Sequence, residues 1–130
     1  MPEIEQEAVD YLAKALDRFD EALAVPLTNP LAIDGTIQRF EFSFELTWKA
    51  IKIVAFYFGS DHRSPRDALK AAYGFGWIDD EAIWLEMLKD RNLCSHTYRE
   101  DIANSVYRKL PTYALAMRKL AMTLTTVLRK

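Results

Sequence analysis

The chain holds one cysteine, four glycines and five prolines in 130 residues. A lone thiol at Cys94 cannot form an internal disulfide, so nothing here requires an oxidising compartment. No apolar run is long enough to cross a bilayer. Met1-Pro2-Glu3-Ile4-Glu5 is acidic and lacks the basic and apolar regions of a signal peptide. The expectation is a cytoplasmic protein without a membrane. A net charge of −2 argues against a general nucleic-acid coat protein. Repeats, low-complexity tracts and linkers are missing, as is any sustained two-residue alternation that would read as a sheet. What remains is half apolar and 28% charged, ordinary for one globular domain spanning 1–130.

The few glycines and prolines punctuate helices. Ile4, Ala8, Tyr11, Leu12, Ala15, Leu16, Phe19 and Leu23 recur at helical spacing. Pro26 and Asn29-Pro30 end that helix. A second helix is expected from about Thr36 to Phe58, stopping at Gly59. Ser64-Pro65 reads as an N-cap with proline at the first helical position, opening a short helix to Gly74. A fourth helix starts at Asp79 or Asp80. Thr97-Tyr98-Arg99-Glu100 fits a capping box for a last helix to Lys130, with a kink or break at Pro111. The fold class is all-α: an antiparallel four-helix up-and-down bundle with an additional short helix.

The second helix is apolar on nearly every side, through Phe40, Phe42, Phe44, Leu46, Trp48 and Phe56. Such a helix is expected to be buried all round, part of it against a second copy of the chain. A polar stripe remains at Gln38, Glu41, Glu45, Lys49 and Lys52. Glu45 and Lys49 form a favourable pair one turn apart, while Glu41 and Glu45 repel mildly. The two acids either orient Arg91 or His96, or are a solvated stripe. Charge is also uneven along the chain. Residues 1–30 carry −5 and residues 99–130 carry +5, which predicts first and last helices packed with complementary charge. Of Arg99, Arg108, Lys109, Arg118 and Lys119, only Arg99 is expected to face an RNA phosphate.

The segment richest in chemistry is Arg91-Asn92-Leu93-Cys94-Ser95-His96-Thr97-Tyr98, an R-x4-H-x-Y pattern. Arginine presents a planar fork of donors suited to phosphate, and histidine exchanges protons near neutral pH. The pair points to phosphodiester chemistry without a metal. On a straight helix Arg91 and His96 lie about 140° apart, so the helix is expected to end near Ser95 and free His96 to turn. The blander alternative stays open. An arginine near a helix C-terminus favours the macrodipole, Asp90 and Glu86 are ready partners, and a terminal histidine often only caps carbonyls.

These residues, with Gln38–Lys49, Ser64-Pro65-Arg66, Ile83-Trp84-Leu85 and Asp90-Arg91-Asn92, resemble the HEPN domain, in its nucleotidyltransferase substrate-binding branch. Members of that branch pair with minimal nucleotidyltransferases in HEPN/MNT toxin–antitoxin systems. The resemblance implies a homodimer whose motifs line one groove, and a metal-independent endoribonuclease without cofactor. It implies that His96 is the general acid or base, that Arg91 stabilises the scissile phosphate, and that Asn92 supports either. The product on RNA would be a 2′,3′-cyclic phosphate. It further implies AMP transfer to Tyr98 by the partner transferase. Glu41, Glu45 and Arg99 are possible supports. Arg99 stands where relatives more often carry an acid. The alternative function is a non-catalytic subunit that presents a substrate to the transferase; a purely structural adaptor is a third.

Other groups carry less. Gly59-Ser60 ahead of His62 is similar to the opening of a nucleotidyltransferase motif, but the paired aspartates on a following strand are missing. His62, His96 and Cys94 lack metal-ligand spacing, and Cys94 reads as a small packed residue. Trp77 and Trp84 read as core or dimer contacts, while Gly74–Trp77 could form an exposed docking loop.

Overall fold

A computed structural model describes residues 2–130. Five helices follow in order: α1 Glu3–Leu23, α2 Ala32–Tyr57, α3 Pro65–Gly74, α4 Glu81–Leu93 and α5 Glu100–Leu128, with a 3₁₀ turn at Cys94–His96 between α4 and α5. No strand forms among the described residues. Among the described residues no helix is long and apolar enough to cross a membrane.

Local chemistry explains most boundaries. The Ser64 hydroxyl accepts from the Asp67 amide, with Pro65 in the first turn, so α3 starts where expected. Asp80 caps α4 by accepting from the Ile83 amide. Gly59, at φ +92°, closes α2 in a conformation most residues avoid. α2 begins one turn earlier than Thr36. The Asn29 carboxamide accepts from the Leu31 amide and its carbonyl accepts from Ala32, which nucleates the helix upstream of the glycine.

Two expectations fail. The Thr97/Glu100 capping box does not form: the Thr97 hydroxyl donates to the Cys94 carbonyl at 2.9 Å, and α5 begins at Glu100 after an extended Arg99 without a side-chain cap. The 3₁₀ turn claims the hydroxyl first. Of the kink or break expected at Pro111, the break does not occur: α5 runs through it as one helix. Pro111 lies on the exposed face, where its ring meets water instead of a neighbouring helix.

α1, α2 and α5 pack against one another along their lengths, and α3 and α4 close the remaining side. Phe19, Phe40, Phe44, Leu12, Leu16 and Met117 are fully enclosed. Phe40 lies at the centre, 6.3 Å from Phe19 and from Phe44 and stacked at 5.7 Å on Tyr113. Trp77 and Trp84 are core residues. α2 is not buried all round: Phe42, at the edge of the α1–α2 packing, is 53% exposed and Phe56 67%. The charge asymmetry resolves as expected. Arg118 of α5 bridges Asp17 and Asp20 of α1 at 2.8 and 3.0 Å.

Candidate functional site

The end of α4 is fixed by a buried carboxylate. Ile83, Met87, Asp90 and Cys94 fall on one stripe of the helix, and Asp90 on that stripe is only 2% exposed. An unpaired buried carboxylate would be costly. Here it accepts a very short hydrogen bond from the Tyr113 hydroxyl and an ion pair from Lys109 Nζ at 2.8 Å. Glu86 reaches the same Lys109 at 3.3 Å. Burial opposes the charge on Lys109, but Asp90 and Glu86 outweigh it and raise its pKa above the ordinary lysine value. Burial first, and Asp90 second, push the Tyr113 phenol far up, so it remains a donor. The sequence signal for this cluster was an acid in line with an apolar stripe; Asp90 and Glu86, offered to Arg91 by the blander alternative, do not pair with it. They face α5 instead.

Arg91 therefore turns to α2. Its Nη2 donates to Glu45 Oε1 at 2.7 Å and its Nη1 to Asn92 Oδ1 at 3.1 Å. The guanidinium carbon lies 5.4 Å from the centre of the Phe44 ring, a favourable cation–π placement. Its Nε is buried without a partner. Glu45 is itself held by Trp48 Nε1 at 3.1 Å and by Lys49 at 3.8 Å. Of the two readings of the acidic stripe, Glu45 follows the first: it orients Arg91. Glu41 lies beside them with its pKa raised, burial outweighing the nearby Arg91. Asn92 supports Arg91, not the imidazole.

Glu41, Glu45, Arg91, Asn92 and Ser95 line an open recess of about 360 Å³. His96 is not among them. The 3₁₀ turn carries it past Ser95 to an exposed position, where it makes no side-chain hydrogen bond with a described residue. Its ring meets that of Tyr98 edge-on, 6.1 Å between centres. Tyr98 is 81% exposed. One chain thus brings Arg91, Asn92, Glu41 and Glu45 together, and His96 with Tyr98, on neighbouring turns, and among the described residues no side-chain hydrogen bond or ion pair joins the two groups. Arg99 pairs with Asp101 at 3.1 Å, and Lys119 with Asp79 at 3.2 Å. Burial, then Glu41 and Asp90, push the Cys94 thiol up to about 12, so it is no nucleophile. Away from the recess, His62 is held between Ser60 Oγ and, at 2.9 Å, Asp67, tying the α2–α3 loop to α3. Among the described residues no three His, Cys, Asp or Glu side chains converge to hold a metal.

The model of the family described as nucleotidyltransferase substrate binding protein like matches residues 7–126. The chain belongs to that family. Over 95 residues it is 33% identical to a Haemophilus influenzae protein named probable ribonuclease HepT, a match spanning 64% of this chain and 60% of that relative. A Thermus thermophilus crystal structure superposes with a TM-score of 0.82 at 34% identity, covering 87% of this chain and 98% of the other. A second solved structure, from Haemophilus influenzae, is described as revealing the fold of a substrate binding domain of a nucleotidyltransferase. It superposes with a TM-score of 0.69 at 26% identity, covering 96% and 99%. The helical bundle and the family resemblance are both borne out.

Proposed function

We propose that this family member is a HEPN-type endoribonuclease toxin, held in check by a minimal nucleotidyltransferase that adds AMP to Tyr98. One observation carries the reading. A guanidinium braced by Glu45 and Asn92 opens onto solvent one turn from an exposed imidazole and a phenol. A relative named as a probable ribonuclease supports it.

In the mechanism, Arg91 receives the scissile phosphate and stabilises the charge that grows on its oxygens. His96 takes the proton of the ribose 2′-hydroxyl, whose oxygen bonds to phosphorus as the P–O5′ bond breaks; the 5′-oxygen leaves and takes its proton from water. The products are a 2′,3′-cyclic phosphate and a 5′-hydroxyl end. A general base of this kind is worth about 10²–10⁴ in rate. DNA lacks the 2′-hydroxyl and is spared. Because His96 does not line the Arg91 recess within one chain, a second copy in a homodimer would complete the groove. Transfer of AMP from ATP to the Tyr98 hydroxyl, with pyrophosphate leaving, places a bulky anion beside His96, at the mouth of the proposed groove. It occupies the phosphate seat and repels RNA.

A second reading is favoured by one feature: the recess holds one guanidinium against two carboxylates, a poor lure for a polyanion. On that reading the chain is a non-catalytic subunit that docks a nucleotidyltransferase and presents a substrate to it. Induced expression separates the two. The toxin reading predicts growth arrest, relieved by His96→Ala. It also predicts an intact-mass gain of one AMP on co-expression with the transferase, lost in Tyr98→Phe. Harmless expression and an unchanged mass would favour the subunit.

A further inference from the structure

A strand of RNA entering the Arg91 recess needs cations elsewhere along its path, because the recess itself is net acidic. Most basic side chains nearby are committed. Lys49 pairs with Glu45, Arg99 with Asp101, Lys109 with Asp90, and Arg118 with Asp17 and Asp20. Among those that are not, two arginines share a hollow. Arg18 of α1 and Arg39 of α2 form no ion pair and no side-chain hydrogen bond with a described residue, yet both line the same two hollows between α1 and α2.

The two hollows differ in charge. The first, about 270 Å³, also holds Glu21, Asn29 and Thr36, and the free carboxylate there repels an anion. The second, about 410 Å³, is lined by Ala15, Arg18, Arg39, Phe42, Glu45 and Leu46. Its one carboxylate, Glu45, already accepts from Arg91. Its floor is apolar, with Phe42 half-exposed. Two unneutralised guanidiniums over an aromatic floor suit a nucleotide: phosphate on the forks, base on the ring. The hollow also adjoins the Arg91 recess, since Glu45 lines both. Arg39 and Glu45 are six residues apart, about 9 Å along the helix axis. At about 3.4 Å per stacked nucleotide, that is two to three nucleotides of one strand.

We propose that this hollow is a second RNA subsite, in which Arg18 and Arg39 hold a phosphate two or three nucleotides from the one at Arg91 and Phe42 stacks on a base. The subsite rests on the RNA reading above. It supplies the positive charge the recess lacks.

The test measures binding of a short fluorescein-labelled single-stranded RNA to His96→Ala protein, so that binding is seen without cleavage. Adding Arg18→Gln and Arg39→Gln should weaken binding by about tenfold or more. It should also reduce the steepness of the log affinity against log salt plot by about 0.7, one phosphate contact on a single strand. Restoring lysine at both positions should recover most of the salt dependence. Equal affinity and slope in the double variant, with binding still lost in Arg91→Ala, would overturn the subsite and leave the ribonuclease reading intact. A change in sedimentation instead of RNA affinity would assign the hollow to contact between copies, and also overturn it. If the parent binds no RNA, a titration with AMP followed by NMR separates the two ideas. Shifts at the Arg39 side chain and Phe42 ring would keep the phosphate seat while the RNA reading falls. No shifts would end both.

Discussion

At the residue scale, the decisive fact is that Asp90 and Arg91, adjacent in sequence, face opposite ways. Asp90 points into the bundle and binds α5; Arg91 points out and binds α2. The buried aspartate is the peg that sets the angle of the arginine. Its loss should therefore cost more than a surface ion pair would. Asp90→Asn leaves Lys109 and Tyr113 without their charged partner and should lower stability by about 3 kcal/mol. The pH dependence follows from Lys109 and Tyr113, both raised above their ordinary 10.5 and 10.0. A raised folded pKa gives stability that is fully present below the unfolded value and is lost as pH climbs through the folded one. Thermal unfolding should then show a stability plateau below about pH 10 and a decline above it, and Asp90→Asn should flatten that decline. An unchanged alkaline limb in the variant would mean the cluster does not bind as described.

At the element scale, the sequence was most legible where one residue does one local job. Ser64, Pro65, Asp80 and Gly59 act on their own neighbours, so their helix boundaries could be read directly. Thr97 misled because its hydroxyl had two acceptable partners, and only the 3₁₀ turn between α4 and α5 decided which one it took. Pro111 misled for a related reason: a proline removes one hydrogen bond, yet packing of Leu110, Tyr113 and Ala114 on either side holds α5 together. That helix carries Lys109 and Tyr113, so its continuity keeps the peg in place. Pro111→Ala should stabilise the protein by about 1–2 kcal/mol, the regained helical hydrogen bond outweighing a looser unfolded chain. Denaturant unfolding checks this; destabilisation would show that Pro111 packs in a way its exposed position does not suggest.

At the scale of the whole molecule, the positions of Arg91, Asn92, His96 and Tyr98 in the chain were readable from one short pattern. The company they keep was not. That Glu45 serves Arg91, that Asp90 does not, and that Arg18 and Arg39 stand uncommitted are all contacts between helices, and spacing within one helix is silent about them. The half-exposed Phe42 and Phe56 show the same limit from the other side. Their apolar character was plain, but which of them the bundle would cover depended on where α1, α4 and α5 came to lie. A single chain holds the arginine in its recess and the imidazole outside it on a neighbouring exposed turn.

The central claim is a phosphodiester cut made jointly by Arg91 and His96, and the direct measurement is incubation of the purified protein, unmodified at Tyr98, with single-stranded RNA in the presence of a chelator. The account predicts fragments ending in 2′,3′-cyclic phosphate, no cutting of DNA of the same sequence, and a loss of about a hundredfold or more in either Arg91→Ala or His96→Ala. Intact RNA, or cleavage that both variants retain, would contradict it.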